Sequence, residues 1–350
     1  MKDDGERAEQ GLLPDDPEAD AGVIGGAEPS GSWDPDSLTD GAPLVGALLQ
    51  GALKVMDDRW NKVEKPVPVP WQRLAEAVGG GLWPGLGVLV GNPGSGKTQL
   101  AMQLALHAAG EGIPALYLGL ELGKVDLVAR LLGMMTGRRW SDFYLGNQPV
   151  DCGSPRVADA LAALARLPFR LRIVPPLGWS YSELYRETAA TADKHGRAPL
   201  VVVDYLQIMQ GKPGEEIRER VGNAAYMARA VARDLGSVVV LVSSTARDKY
   251  AELAGRANPE KTGGGKPAKV EPLGKGDPSR MLGFGKESGE IEFAADSVMV
   301  LGSEPWEPGA AFTKSWLALA KLRAVRTSWV ELRFDGNRFS EPTAPEEVEI

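Results

Sequence analysis

The chain has 350 residues, 43% hydrophobic and 25% charged, with a formal net charge of −8, one cysteine and two histidines. Such fractions belong to a soluble globular protein of one large or two ordinary domains, and so few Cys and His side chains argue against a zinc site. The lone Cys152 excludes an internal disulfide and fits a reducing cytoplasm, while the lack of a long apolar run or a secretory signal argues against a membrane partner.

Residues 1–40 hold twelve acidic and two basic side chains, so they carry −10 and leave about +2 for the remainder. Rich in Asp, Glu, Gly and Pro, they cannot bury enough apolar surface to offset ordering entropy, and a disordered acidic tail is expected. Such a tail solvates the chain or attracts a basic protein partner. Within residues 41–65, Leu44, Val45, Leu48, Leu49, Ala52, Val55 and Met56 recur at helical spacing and form one apolar stripe. The three prolines of Val63–Pro70 set this linker helix apart, so its stripe must be buried against its own domain or a neighbouring subunit.

From about residue 66 to 340, helix and strand signals alternate, predicting an α/β fold with a mostly parallel central sheet flanked by helices. Strands are expected at 86–90, 115–120, 169–174, 199–204, 237–243, 297–301, 315–321 and 328–334. Helices are expected at 97–109, 124–135, 155–166, 181–194 and 216–235. Ser180 and Glu183 form a capping box ahead of the fourth helix.

The strongest chemical signal is Gly91-Asn92-Pro93-Gly94-Ser95-Gly96-Lys97-Thr98, which fits the phosphate-loop pattern GxxxxGK[ST] at every fixed position. Its glycines let backbone N–H groups close on a polyphosphate, and the helix starting at Lys97 adds its positive end. Lys97 suits the β- and γ-phosphates of ATP, and the Thr98 hydroxyl suits Mg²⁺. Two acids stand at strand ends. Asp204 follows Leu200-Val201-Val202-Val203, where a parallel sheet sets it beside the loop to hold the metal's shell. Glu121 follows Ala115–Leu120 and suits a base acting on water. Residues 247–290 read as a long loop. Between Lys261 and Lys286 it has six basic and two acidic side chains, which suits a phosphate backbone or a solvated insertion equally. Residues 341–350 read as a C-terminal tail.

Several blocks together, in order, resemble the C-terminal ATPase domain of DnaB-type replicative helicases, a RecA-like phosphate-loop NTPase. They are the Gly91–Thr98 loop, Leu118-Gly119-Leu120-Glu121, Val202-Val203-Asp204-Tyr205-Leu206-Gln207-Ile208-Met209, Lys286-Glu287-Ser288-Gly289-Glu290-Ile291-Glu292 with Ala295–Met299, and Lys321-Leu322-Arg323. The resemblance implies DNA-stimulated ATP hydrolysis in a homohexameric ring around single-stranded DNA. It implies that Lys321 and Arg323 reach a neighbour's ATP, that Arg130 lies near the nucleotide, and that Lys286, Glu287 and Gly289 lie on DNA, with the linker helix docking on the adjacent subunit. In three respects the sequence departs from the family. Ser244 stands where the family places a γ-phosphate-sensing glutamine, the segment before Lys286 is longer, and the acidic tail replaces the collar domain that engages primase. A plasmid, phage or mobile-element helicase therefore fits better than a chromosomal one. Two rival readings remain: a RecA- or KaiC-like ATPase that does not unwind, and a non-enzymatic nucleotide-binding scaffold.

Overall fold

The computed structural model describes residues 45–147, 154–173, 180–206, 216–254, 272–286 and 288–342. The acidic tail, Leu44, Cys152, Gln207–Met209, Glu287 and most of the C-terminal tail lie outside the described residues, as does the middle of the expected 247–290 loop. The chain divides into two units, residues 1–64 and 65–350.

In the first unit the expected helix forms as α1 (Val45–Trp60), followed by an Arg59–Glu64 ion pair at 3.0 Å. Of the expected stripe, Val45, Leu48, Leu49, Val55 and Met56 are exposed among the described residues.

The second unit is a nine-stranded sheet. In chain order its elements are α2 (Gln72–Ala77), β1 (Gly85–Gly91), α3 (Lys97–Gly110), β2 (Ala115–Gly119), α4 (Lys124–Thr136), α5 (Trp140–Tyr144), α6 (Pro155–Arg166) and β3 (Phe169–Ile173). Then come α7 (Tyr181–His195), β4 (Leu200–Asp204), α8 (Ile217–Asp234), β5 (Val238–Ser244), α9 (Tyr250–Leu253), α10 (Ser288–Ala294), β6 (Ser297–Ser303), β7 (Thr313–Leu322), β8 (Ser328–Phe334) and β9 (Phe339–Ser340). The strand order is β3-β2-β4-β5-β1-β6-β7-β8-β9. Strands β3 to β6 in that order pair parallel, and β6 through β9 pair antiparallel.

The inner parallel strands β2, β4, β5 and β1 are apolar along most of their length because both faces are covered, whereas the edge strand β3 carries the exposed Arg170 and Arg172. Alternation divides β1 between two cores. Leu89 packs on one side with Leu100, Leu104 and Ala108 of α3, while Leu86, Val88 and Val90 pack on the other with Val221, Ala225, Ala228 and Val231 of α8. The capping box at Ser180 and Glu183 forms as expected, with the Ser180 N–H donating to Glu183 Oε2 at 2.8 Å.

Residues 247–290 are more structured than their lack of period suggests. The described parts hold two 3₁₀ turns (Arg247–Lys249 and Pro278–Met281), α9 and the start of α10. Irregularly spaced apolar side chains, Leu253, Leu273, Met281 and Phe284, anchor them in the α8-side core. Tertiary burial holds these pieces, and a periodicity search cannot see it.

Strand β9, absent from the sequence reading, is tied to α3. The Phe339 N–H donates to Gln103 Oε1 at 2.8 Å, and its carbonyl accepts from Gln103 Nε2 at 2.8 Å and from Trp71 Nε1 at 3.2 Å. Its ring stacks on Phe334 with centroids 4.5 Å apart. Phe339→Ala is expected to lower unfolding free energy by about 3–5 kcal/mol, read from urea denaturation, because a fully buried aromatic ring would leave a cavity.

Candidate functional site

Parallel pairing brings four strand ends to one edge. Gly91 is level with Ser244, and Asp204 is level with both Gly119 and Val242. The phosphate loop leaves β1 at this edge and turns into α3. Two of its glycines are required by close approach. A Cβ on Gly91 would lie 2.9 Å from the Leu301 carbonyl oxygen, and one on Gly96 would lie 2.9 Å from Phe339 Cζ. Gly96 also has φ 91°, a left-handed conformation that costs glycine little. The loop is held by its own polar groups: Lys97 Nζ donates to the Asn92 carbonyl at 2.8 Å, and Asn92 Nδ2 to the Tyr250 carbonyl at 2.9 Å.

The loop opens into a cavity of about 590 Å³. Pro93, Gly94, Gly96, Lys97, Thr98, Glu121, Arg130, Asp204 and Ser244 line it, so the edge residues read from sequence converge on one site. Burial pulls the Lys97 ammonium down to about 8, with Asp204 and Glu121 opposing the shift. Asp204 is only 3% exposed, and burial raises its carboxyl, while hydrogen bonds from Tyr117 and Thr98 pull the other way. The Glu121 carboxyl, at the cavity mouth, is raised by partial burial and then by Asp204, against Lys97 and Arg130.

These groups form a cation set into two carboxylates at the start of a helix, an arrangement that suits a polyphosphate with a hydrated divalent ion. Ser95 Oγ, in the same loop, is buried without a hydrogen-bond partner among the described residues. The described residues hold no cluster of three His, Cys, Asp or Glu side chains able to ligate a metal alone. An ion here would share Thr98 and Asp204 with phosphate and water oxygens, as Mg²⁺ ordinarily does.

Lys321 and Arg323 lie elsewhere. Register sets Leu322 level with Ser297 and therefore near Gly87, at the opposite end of β1 from the loop. Four residues of strand separate those levels, about 13 Å along the strand direction alone. There Lys321 Nζ donates to the Glu292 carbonyl at 2.6 Å, and Arg323 Nε pairs with Asp296 Oδ1 at 2.9 Å. Asp296 also accepts from the Leu86 N–H at 2.8 Å. Lys286 is exposed near the loop edge, its N–H donating to the Ser244 carbonyl at 2.7 Å, and Gly289 is in α10.

Some lining residues escaped the sequence reading. Trp140 carries the Arg130 guanidinium 3.9 Å above its ring, and Phe334, Gly336 and Trp306 close other parts of the cavity. Trp140 arrives from α5, Gly336 from the β8–β9 turn and Trp306 from the β6–β7 loop, with no local signal, while Phe334 ends the expected strand β8. Tyr117 was legible in principle, since alternation sets it on the same face of β2 as Gly119, next to Asp204.

A family model described as the DnaB-like helicase C terminal domain matches residues 67–258. Among curated proteins, the replicative DNA helicase DnaB of Rickettsia bellii is 26% identical over 244 residues, covering 65% of this chain and 44% of that protein. Its namesake from Rickettsia conorii is 26% identical over 258 residues, covering 68% and 46%. The chain thus spans less than half the length of these relatives. Among solved structures, one isolated ATPase domain aligns with TM-score 0.68 at 18% identity, over 84% of this chain and 99% of that one. A DnaB-like replicative helicase, solved with its interactions with primase, aligns with TM-score 0.67 at 18% identity, over 86% and 67%. At that identity the structures bear on the fold alone, and they agree on it.

Lys97 gives a pH prediction. A bound triphosphate supplies the negative charge that the largely buried ammonium lacks and raises its pKa from about 8. Binding should therefore take up protons at pH 8–9, and affinity should fall as pH rises through about 8. Titration calorimetry of the nucleotide in two buffers of different ionisation enthalpy measures this, and Lys97→Met should abolish the uptake.

Proposed function

Because the chain belongs to the DnaB-like helicase C-terminal domain family, we propose that it is an ATP-hydrolysing DNA helicase that moves along single-stranded DNA as a ring. Each ATP is shared by two subunits. The observation that supports this reading is the position of these residues at opposite ends of the sheet, with the phosphate loop, Glu121 and Asp204 at one end and Lys321 and Arg323 at the other.

In the proposed reaction the loop N–H groups, Ser95 and Lys97 hold the β- and γ-phosphates, while Thr98 and Asp204 would hold the metal. Mg²⁺, when bound, neutralises phosphate charge. Glu121 orients a water on the γ-phosphorus and takes its proton as the new P–O bond forms and the bond to the β-phosphate breaks, releasing ADP and phosphate. A raised carboxyl pKa suits this role, because the proton is accepted more readily. Arg130, its guanidinium already stacked on Trp140, adds charge at the phosphates from the same subunit.

Arg323 and Lys321 reach the γ-phosphate of the next subunit, stabilising charge that develops in the transition state. Arg323 is half exposed in its pair with Asp296, and such exposed pairs contribute only about 0–1 kcal/mol. Exchanging that partner for a phosphate oxygen in a drier interface is therefore inexpensive. The exposed apolar stripe of α1 supports docking on the neighbour.

On the DNA side, Lys286 is exposed and Gly289 lies in the first turn of the helix that follows, supporting sequence-independent phosphate contact. Ser244 has a short side chain, but its carbonyl is bonded to the Lys286 N–H, and the Thr245 N–H is bonded to the Gly91 carbonyl at 3.2 Å. The backbone thus joins phosphate loop, β5 end and Lys286 without a glutamine amide. The shortened side chain also keeps a second reading in view, a ring ATPase that does not unwind. ATP turnover that rises with single-stranded DNA, together with strand separation, supports the helicase. Turnover indifferent to DNA in an assembled ring at low salt supports the other.

Arg323→Ala should lower turnover by about 10³-fold or more while leaving ATP affinity within about twofold, since an arginine supplied in trans acts chiefly on the transition state. Equilibrium binding and steady-state hydrolysis on the same preparation check this. Equal loss of both would assign Arg323 to holding Asp296 and β1 in place.

A further inference from the structure

Tyr117 is fully buried in the middle of β2, and its hydroxyl donates to Asp204 Oδ2 at 2.6 Å. That length is typical of a hydroxyl bonded to an ionised carboxylate. Of the two strands that flank β2, β4 supplies only aliphatic side chains ahead of Asp204, Leu200 to Val203, and β3 sets Leu171 level with Tyr117. A phenylalanine would fill the same volume without bringing a hydroxyl that must be satisfied. Register explains how the contact forms. Tyr117 is level with Val202 and Gly119 with Asp204, so the ring extends forward by two residues on a face where the intervening position has no side chain.

Asp204 is 3% exposed, and its described hydrogen-bond donors are Tyr117 and Thr98. A carboxylate has about four acceptor sites. With Oδ2 engaged by a rigid strand residue, the group cannot turn freely, and lone pairs remain beyond those that Tyr117 and Thr98 use.

We propose that Tyr117 is a positioning residue for the metal–nucleotide site, fixing the Asp204 carboxylate so that it receives the hydrated divalent ion of a bound nucleotide. The proposal rests on the nucleotide-site reading above and deepens it. Residues that orient a metal's ligands from behind typically change metal affinity by tens-fold when lost, without touching the metal themselves. In a merely structural role, by contrast, the hydroxyl would be there for Asp204 to satisfy, and its loss would be felt as stability alone.

The test compares full-length wild type, Tyr117→Phe and Asp204→Asn. A fluorescent ADP analogue is titrated in excess EDTA and at a series of Mg²⁺ concentrations, with thermal unfolding recorded for each protein. Tyr117→Phe should raise the Mg²⁺ concentration for half-maximal binding by about tenfold while leaving affinity in EDTA within about twofold. Asp204→Asn should show the same pattern more strongly. The proposal is overturned if Tyr117→Phe keeps the wild-type Mg²⁺ dependence while Asp204→Asn loses it, or if affinity drops equally with and without Mg²⁺. The first result leaves the nucleotide site standing and removes only Tyr117 from it. A wild-type protein that binds no nucleotide overturns both readings.

Discussion

In a parallel sheet every strand delivers its carboxyl end to the same edge, and β1, β2, β4 and β5 obey this through residue-for-residue register. That shared edge assembles the phosphate loop, Glu121, Asp204 and Ser244 from segments distant in sequence. The change to antiparallel pairing at β7 has the opposite consequence. It returns the chain to the amino end of β1 and sets Lys321 and Arg323 there. If, as proposed, both sets of charges act on one nucleotide, this separation means that they come from two subunits.

Within the shared edge, burial is the second constraint. Asp204 and the Lys97 ammonium are held where solvent compensates charge poorly, so each depends on the other, and Asp204 depends also on hydroxyls from Tyr117 and Thr98. Such a site is biased toward a ligand that brings both negative and positive charge. In the proposed reading a metal-bound polyphosphate would meet that requirement better than a simple anion, its cation served by the carboxylate and its phosphates by Lys97. The cost of keeping these groups dry is lowest when they are engaged.

Much of this was legible in the sequence for identifiable reasons. The runs Leu200–Asp204 and Val238–Ser244 are too short for helices and uniformly apolar until their last residues, which marks strands covered on both faces. The phosphate loop carries its own geometry in its glycines, and the acids at strand ends follow from the parallel sheet. What stayed hidden depends on contacts far apart in sequence. Phe334 and Phe339 close the space behind Gly96 from more than two hundred residues away, and the two-residue β9 has no pattern to detect. Trp140 reaches Arg130 through a five-residue helix anchored by the Asn337 side chain, which accepts the Trp140 N–H at 3.0 Å. The Tyr117–Asp204 bond lies between these extremes. The alternation that predicts it was in view, but a tyrosine in an apolar strand reads first as core.

Mixing two inactive proteins tests the shared site most directly. A Lys97→Ala subunit keeps its arginine, and an Arg323→Ala subunit keeps its phosphate loop, so a mixed ring contains some interfaces with both halves intact. With random assembly from equal amounts, about a quarter of interfaces are complete, and ATP turnover should return to roughly that share of the wild-type rate. If mixed rings form, verified by mass, and remain as inactive as either parent, the two halves do not meet across subunits and the account is contradicted.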